Sequence, residues 1–532
     1  VELRFDSVAN ARFGSVNTSA GKDNLAFNVN AFKRRTDDYA LPSDIEIEGQ
    51  DTLENSDIDA HGFGAGGAWI SDKASIGVSV ERLENNYGIA GHSHHHHEEE
   101  ESEGEEEGED HEEESGIRLD AKVNRFQTAA SWHNPMAGIN TLRYRAAVTD
   151  YEHAEIEDNA IATLFSNKTQ EHRLTLEHAA LGNWHGMVGV HTQKNRYAAD
   201  GEEAFTPSNK SEMYALYAVE EWRQEAWVWQ VGARAESNSV RVKAPVAVDL
   251  HLESEAMIET VLEIPAYSET SLSFSSGVLW RYLDGYSLGL SLSHSARAPS
   301  HQELFSAGEH LSTQTYEFGL AYRLDTNSNS VTLNTDIHEE KARNLDLTWR
   351  KHRGNNALSL TVFFNDVADY IYAADTGLET DEELPIFTFL QEDAQLYGFE
   401  LEWRHRINAA WTWEMFSDQI HAKLDTNEAL PRIPPLRIGN ALQFDHARWS
   451  TSIDLTWYDD QTRTAEFESA SAGYTLVDAY AQYELPSNTF EWLVYVSLKN
   501  IGDREIRPHT SYLKETQPQP GRNIAVGLEA RF

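Results

Sequence analysis

The run of residues from His92 to Ser115 carries the densest set of metal-binding groups in this sequence. Within 24 residues it holds six histidines, thirteen carboxylates and no large apolar side chain. Its histidines are His92, His94, His95, His96, His97 and His111. Zn²⁺ accepts imidazole nitrogen and carboxylate oxygen as ligands in tetrahedral sites. A segment this polar and self-repelling cannot bury a core, so we expect residues 91–116 to form a solvated loop that binds metal ions weakly.

Such a loop should discriminate poorly between metals, because its ligands are not held in a fixed geometry. The usual affinity order of divalent ions places Cu(II) and Ni(II) as competitors of zinc. The simpler interpretation is an anionic loop that only interacts with water, and it suits most of the glutamates. It does not explain the histidines, which are mostly neutral near pH 7.

A second group of donors lies in the stretch SHQELFSAGEH, residues 300–310, which brings His301, Glu303, Glu309 and His310 into one loop. A lone loop histidine is usually just solvated, whereas two histidines and two acids within ten residues favour a metal site. His338 lies further along the same connection and His509 lies near the end of the chain, so both are candidates to complete the ligand set.

The elements that position these groups have a period of two. In NIAVGLEARF, residues 523–532, Ile524, Val526, Leu528, Ala530 and Phe532 alternate with more polar or smaller residues. Similar alternation recurs in runs of about ten residues along the chain, which is typical of antiparallel strands with one apolar face. Helical periodicity is scarce. The sequence therefore predicts an all-β fold.

The connections between these runs alternate between short turns and long, polar, mostly acidic loops. Counting them predicts about 22 strands joined by ten turns and eleven loops, within one domain spanning residues 1–532. Short turns at one rim and long loops at the other are typical of an outer-membrane β-barrel with periplasmic turns and extracellular loops. Tryptophans beside the turns fit an interfacial aromatic girdle. These are Trp132, Trp184, Trp227, Trp280, Trp411, Trp449 and Trp492. The alternative is a soluble β-sandwich or propeller, but no blade-length repeat is visible.

Composition excludes several classes of protein. The net charge of −44 argues against nucleic-acid binding, which depends on cations that meet phosphates. The sequence has no cysteine, so disulfides and thiolate metal sites are excluded. No window approaches 18 consecutive apolar residues, which argues against transmembrane helices. No Walker loop, HExxH motif or nucleophile elbow is present, and we expect no enzymatic activity.

Several stretches resemble the TonB-dependent outer-membrane receptors. They are RAPSHQELFSAGEHLSTQTYEFG (297–319), LYGFELEW (396–403), RIPPLRIG (432–439), YTLVDAYAQY (474–483) and SLKNIGDREIRPHTSYLKETQPQPGRNIAVGLEARF (497–532). KRRTDDYALP (33–42) and ENNYGIAGH (84–92) are similar to the zinc-uptake, ZnuD-like branch. The resemblance implies a Gram-negative outer-membrane location and a monomer surrounded by lipid. It also implies that His310, in its Gly-x-His segment, contributes to the site for the zinc substrate.

The same resemblance implies a 22-stranded barrel closed by an N-terminal plug domain and energised through the TonB complex. This chain opens on VELRFDSVANARFGSV, which we interpret as the first barrel hairpin, so we expect neither a plug nor a TonB box in it. A periplasmic zinc-binding protein is a further expected partner. The leading hypothesis is thus the barrel of a zinc importer. Alternatives are a haem or metal-chelate receptor, and a passive pore or surface metal-binding protein.

Overall fold

The computed structural model describes the chain except for residues 48, 91–115, 158–159, 202–203, 255, 326–327, 329 and 488–489. The histidine-rich run therefore lies outside the described residues. The first strands are β1 (Glu2–Asp6), β2 (Ala11–Lys22), β3 (Leu25–Thr36), β4 (Tyr39–Ala40), β5 (Thr52–Leu53), β6 (Ile58–Ile70), β7 (Ala74–Gly88), β8 (Arg118–Met136), β9 (Ile139–Glu157), β10 (Ala160–His178), β11 (Trp184–Gly201), β12 (Asn209–Gln224), β13 (Trp227–Val242), β14 (Val246–His251) and β15 (Met257–Leu262).

The second half continues in the same way and contains one short helix, α1 (His301–Phe305). Its strands are β16 (Tyr267–Leu283), β17 (Tyr286–Arg297), β18 (Ala307–His310), β19 (Thr315–Phe318), β20 (Tyr322–Asp325), β21 (Ser330–Leu333), β22 (Glu340–Arg353), β23 (Asn356–Glu379), β24 (Pro385–Arg406), β25 (Trp411–Leu424), β26 (Arg437–His446), β27 (Trp449–Tyr458), β28 (Tyr474–Leu485), β29 (Glu491–Lys499) and β30 (Asn523–Arg531). Among the described residues, no helix is long and apolar enough to span a bilayer.

Twenty-two of these strands form a closed antiparallel barrel, which confirms the predicted fold. Closure occurs where β1 pairs with β2 on one side and with β30 on the other, so Leu3 lies opposite Leu528. The remaining strands, β4, β5, β14, β15 and β18 to β21, lie in the long loops. Closure pairs the strand edges, which a hydrocarbon environment requires.

The two faces of the barrel follow the predicted alternation. On β30, Ile524 and Val526 are 44% and 47% exposed on the outer face, whereas Ala525 between them is 5% exposed on the inner face. Trp227 and Trp280 stack at 5.3 Å on neighbouring strands beside the short turns. An outward apolar band with aromatic residues at its margin fits the lipid-facing surface of a membrane barrel.

The long-loop rim carries a folded cap, which the strand pattern did not predict. The β14–β15 hairpin and the loop after β17 pack together around a buried apolar cluster. Leu250, Leu304, Phe305, Phe318 and Ile386 are each at most 1% exposed in it. Burial of this many large side chains gives the loop a core of its own, so the residues it carries are held in place.

Candidate metal-binding site

His310 ends β18, the first strand of a hairpin within the cap. β18 pairs antiparallel with β19, and His310 lies opposite Thr315. β19 in turn pairs in parallel with β24, where Tyr316 lies opposite Ile386. The hairpin is therefore hydrogen-bonded to a barrel strand, which restricts where the imidazole can be.

Both ring nitrogens of His310 have partners. Nδ1 lies 2.8 Å from Glu317 Oε1, and Nε2 lies 2.9 Å from Ser312 Oγ. Glu317 is 7% exposed and also accepts hydrogen bonds from the hydroxyls of Thr313 and Thr315 at 3.5 and 3.4 Å. The buried carboxylate selects the tautomer with the proton on Nδ1, which leaves the lone pair on Nε2. In the structure that lone pair accepts a hydrogen bond from a serine hydroxyl.

The His310 ring also stacks on Phe205, with the ring centroids 4.3 Å apart. Phe205 belongs to a buried cluster with Phe165 and Tyr197, which are on the inner faces of β10 and β11. The Phe205 carbonyl accepts a hydrogen bond from the N–H of Ala307 at 2.7 Å. The hairpin with His310 therefore lies inside the mouth of the barrel, against its inner face.

His301 contacts the same aromatic cluster. It is the first residue of α1, and its ring centroid lies 5.0 Å from that of Tyr197. Burial lowers the pKa of His301, so the imidazole is neutral at physiological pH. The structure thus brings His301 and His310 onto one aromatic cluster from two sides.

The two acids predicted beside them are placed differently. Glu303 accepts hydrogen bonds from the Arg297 guanidinium at 2.9 and 3.1 Å, and it forms a capping box with Ser300 at the start of α1. Glu309 lies opposite Tyr316 on β18, and it contributes, after burial, to a raised pKa of Tyr316. Glu303 therefore stabilises the helix that carries His301, and a role as a metal ligand would require it to leave Arg297.

His338 and His509 lie in different environments. His338 is exposed, with its ring nitrogens 3.6 Å from Asp336 and 3.5 Å from Asp369. The His509 side chain is 1% exposed; its Nδ1 lies 2.8 Å from Ser471 Oγ and its Nε2 lies 3.3 Å from Glu468 Oε1. Nothing in these contacts joins either residue to His310.

The surroundings of Glu468 show how this second carboxylate–histidine pair is held. Burial favours the neutral acid, but the contact with the His509 ring and hydrogen bonds from the backbone N–H groups of Arg432 and Ala465 outweigh it and lower the pKa of Glu468. Burial lowers the pKa of the neighbouring Lys514, whose ammonium donates to the Ser469 carbonyl. These contacts join the loop after β27 to the loop after β29.

An open, acidic cavity of about 1040 Å³ lies beside the β18–β19 turn, which contributes Thr313, Gln314 and Thr315 to its lining. Its carboxylates are Asp375, Asp381, Glu382, Glu383, Glu392, Glu428, Glu466, Glu468 and Glu515. Arg432 and Lys514 are the bases that line it. A cleft lined mainly by one sign of charge concentrates ions of the opposite sign, so this cavity attracts cations toward the hairpin.

Across the described residues, no three His, Cys, Asp or Glu side chains are grouped so that they could hold a metal ion. The predicted donors in the 300–310 stretch are thus close in the fold without forming a complete ligand set. Glu317 was not among the predicted residues. The sequence could have indicated it, because Glu317 follows Thr315 by two residues and so lies on the same face of the hairpin. Thr315 is the residue opposite His310.

Residues 100–501 match the family model described as TonB dependent receptor-like, beta-barrel. The chain belongs to this family. Its members are outer-membrane proteins of Gram-negative bacteria, and they are receptors and transporters, not enzymes. The barrel identified from the strand pattern is therefore the barrel of a TonB-dependent receptor.

A curated relative is the haem/hemopexin utilization protein C of Haemophilus influenzae (strain 86-028NP), 24% identical over 281 residues. The aligned part covers 50% of this chain and 38% of that relative. Among solved structures, the copper transporter OprC has a TM-score of 0.80 and 16% identity, and this match covers 100% of the chain and 82% of OprC.

The FrpB iron transporter from Neisseria meningitidis (F3-3 variant) has a TM-score of 0.73 and 12% identity, over 100% of this chain and 80% of FrpB. The Serratia marcescens hemophore receptor HasR, solved as a double mutant with HasA and haem, has a TM-score of 0.73 and 13% identity over 100% and 80% of the two chains. At these identities the likeness shows the shared barrel fold.

Proposed function

We propose that this chain is the barrel of an outer-membrane receptor that captures Zn(II) at its long-loop rim and delivers it to the lumen. Transport is energised through TonB with a plug domain, and a periplasmic zinc-binding protein receives the metal. The observation that carries the proposal is the hydrogen bond of 2.8 Å between His310 Nδ1 and Glu317 Oε1. Metal-binding histidines usually donate their second ring N–H to such a carboxylate, which orients the ring and raises its basicity.

In this proposal Zn²⁺ takes the Nε2 lone pair of His310 and displaces the hydroxyl of Ser312. The neutral imidazole of His301 and the carboxylate of Glu309 are the nearest candidates for a second ligand along the same stretch. The acidic cavity supplies cations to the hairpin, and the histidines of 92–111 add weak sites that hold metal near the rim. Further ligands come from another loop or from the plug domain.

A titration tests the proposal. Zinc is titrated into the purified chain lacking residues 92–115, combined with a plug domain, and a competing chelator resolves the tight binding event. His310→Ala should abolish that event, because Nε2 of this residue is the proposed primary ligand. His338→Ala is the matched control, since His338 is also a loop histidine beside carboxylates. Equal affinities of the parent and His310→Ala proteins would contradict the proposal.

A haem receptor is the second candidate function. Two observations favour it: the curated relative is named for haem utilization, and His153, His301 and His310 all contact the aromatic cluster of Phe165, Tyr197 and Phe205. The acidic cavity disfavours it, because haem carries two propionates. A shift of the haem absorption band on mixing with the chain, lost in His310→Ala, would support haem in place of zinc.

A further inference from the structure

A row of basic side chains crosses four neighbouring strands near the long-loop rim. Lys168 on β10 lies directly opposite Arg196 on β11, Arg196 lies opposite Lys210 on β12, and Lys210 lies opposite Arg241 on β13. We call Lys168, Arg196, Lys210 and Arg241 the basic row. Adjacent strands are about 4.8 Å apart, so the four positions span about 15 Å across the sheet.

The basic row faces outward. Arg196 lies between Asn195 and Tyr197, which are buried on the inner face, and Arg241 follows the buried Val240. Because side chains alternate between the faces of a strand, Arg196 and Arg241 project away from the lumen. The Lys168 and Lys210 side chains are 64% and 48% exposed, so the row is accessible from outside the barrel.

The row carries more positive charge than its neighbours neutralise. Lys168 lies 3.1 Å from Asp150, and Lys210 lies 2.6 Å from Glu212. Arg196 and Arg241 have no carboxylate partner within the part of the chain that the structure describes. Like charges directly opposite each other destabilise a sheet. Four bases in register are unusual in a chain whose net charge is −44. An anion bound from outside would offset their mutual repulsion.

The height of the row on the barrel identifies the anion. Val148 lies two residues from Asp150 on β9 and is 44% exposed in the outward apolar band. Tyr214, 46% exposed, is four residues from Lys210 on the same face of β12, a distance of about 13 Å along the strand. The Lys194 ammonium lies 5.9 Å from the centre of the Tyr214 ring. Outward aromatic side chains mark the membrane interface. The row therefore starts at the edge of the hydrocarbon at Lys168 and, because the strands tilt, lies about 10 Å beyond that edge at Lys210.

We propose that the basic row binds the phosphates of anionic lipid headgroups in the leaflet that surrounds the long-loop rim. The planar guanidinium of each arginine matches two phosphate oxygens, and the lysines add point charges on either side. This site is on the opposite face of the sheet from His310, and it does not depend on the substrate. It fixes the height of the loop rim against the lipid surface.

The test measures lipid selectivity by electron spin resonance of the purified chain reconstituted in phosphatidylcholine vesicles. Spin-labelled phosphatidic acid and spin-labelled phosphatidylcholine are compared for the fraction immobilised at the protein surface. The parent protein should prefer phosphatidic acid. In the double variant Arg196→Gln/Arg241→Gln, the preference for phosphatidic acid should fall about fivefold for each arginine replaced.

Arg145→Gln/Arg173→Gln is the matched control, because these two arginines also lie directly opposite each other but on the inner face of the barrel. The control should keep the selectivity of the parent, and high salt should reduce the selectivity of both. An equal preference in the parent and in Arg196→Gln/Arg241→Gln would overturn the proposal. Abolition of the preference by millimolar inorganic phosphate would overturn it too, since the row would then be a site for free phosphate.

Discussion

The Glu317 carboxylate lies 2.8 Å from His310 Nδ1 across the β18–β19 hairpin. Glu317 lies on the same face of β19 as Thr315, the residue opposite His310. This contact fixes which nitrogen of the imidazole carries the proton. It also places the buried negative charge behind the ring, on the side away from Ser312. The orientation of His310 therefore depends on a residue seven positions later in the sequence.

Glu317→Gln should weaken tight zinc binding by about 10- to 100-fold, the usual cost of losing the carboxylate behind a ligand histidine. The amide keeps the shape of the side chain but removes its charge. Chelator competition on the chain lacking residues 92–115 measures the change. Asp336→Asn is the control, because Asp336 lies 3.6 Å from His338, a loop histidine outside the proposed site. An equal loss of zinc affinity in Asp336→Asn and Glu317→Gln would contradict a specific role for Glu317.

His301 makes the stability of the cap depend on pH. Burial lowers its pKa from 6.5 in the folded chain, so the unfolded cap binds a proton at a higher pH than the folded cap does. The stability that His301 contributes is present above about 6.5 and is lost as pH falls toward the lowered value. The protection factors of the α1 amides, corrected for the intrinsic pH dependence of exchange, should therefore fall more between pH 7.5 and 5 in the parent than in His301→Gln. An identical pH dependence would show that His301 is not buried as a neutral group.

The strand pattern was sufficient to predict the barrel because membrane strands must alternate and must close. Alternation places Ile524 and Val526 outside, and each turn fixes the register of the next strand, so 22 strands follow from counting. The same rule identifies the long loops but not what they fold into. The core of the cap joins residues from the loops after β13 and β17, and no local pattern states which loops meet.

The candidate site was predicted only in part, for the same reason. The spacing of His301 and His310 indicates that both lie in one loop, but their common neighbour is an aromatic cluster from β10, β11 and the loop after β11. Histidine is a residue type that binds metal ions, but the His509 side chain is only 1% exposed, as a buried structural residue would be. Burial of that kind depends on tertiary contacts, which the sequence of one loop does not contain.

His509→Ala should destabilise the loops that meet at this residue without changing zinc affinity. The variant loses the hydrogen bond to Ser471 and the partner of the Glu468 carboxylate, at a cost of about 1–3 kcal/mol for local opening. Hydrogen exchange of residues 500–522 measures it. The zinc titration of the same protein serves as the second readout, and a lost tight event there would make His509 a ligand.

Deletion of residues 92–115 should lower the number of weakly bound zinc ions and leave the tight event intact. The deleted run contains six histidines and no large apolar side chain, so its removal should change the melting temperature of the barrel very little. Replacing only its histidines by serine is the matched control, since the acids remain. If that variant still binds as many zinc ions as the parent, the carboxylates bind the metal and the histidines do not.

Gly319→Ala should open the cap while the barrel stays folded. A Cβ at this position would lie 2.5 Å from the carbonyl carbon and oxygen of Leu304, and 2.6 Å from the Phe305 nitrogen. These are backbone atoms of α1, so the helix would have to move. Gly319 also donates its N–H to the Ser306 carbonyl at 2.7 Å, and that hydrogen bond would be strained with it.

The displacement should cost about 1–3 kcal/mol, because Leu304 and Phe305 would leave a closely packed core. Limited proteolysis should then cut within 298–339 sooner, while the mobility of the folded barrel on unheated gels stays that of the parent. Gly277→Ala is the control, since a Cβ there would meet only the Leu290 carbonyl oxygen at 3.8 Å. Zinc should bind more weakly to Gly319→Ala, because α1 carries His301 and leads directly into β18. Unchanged zinc affinity in a cap that proteases cut readily would separate the metal site from the cap and contradict the proposed role of His310.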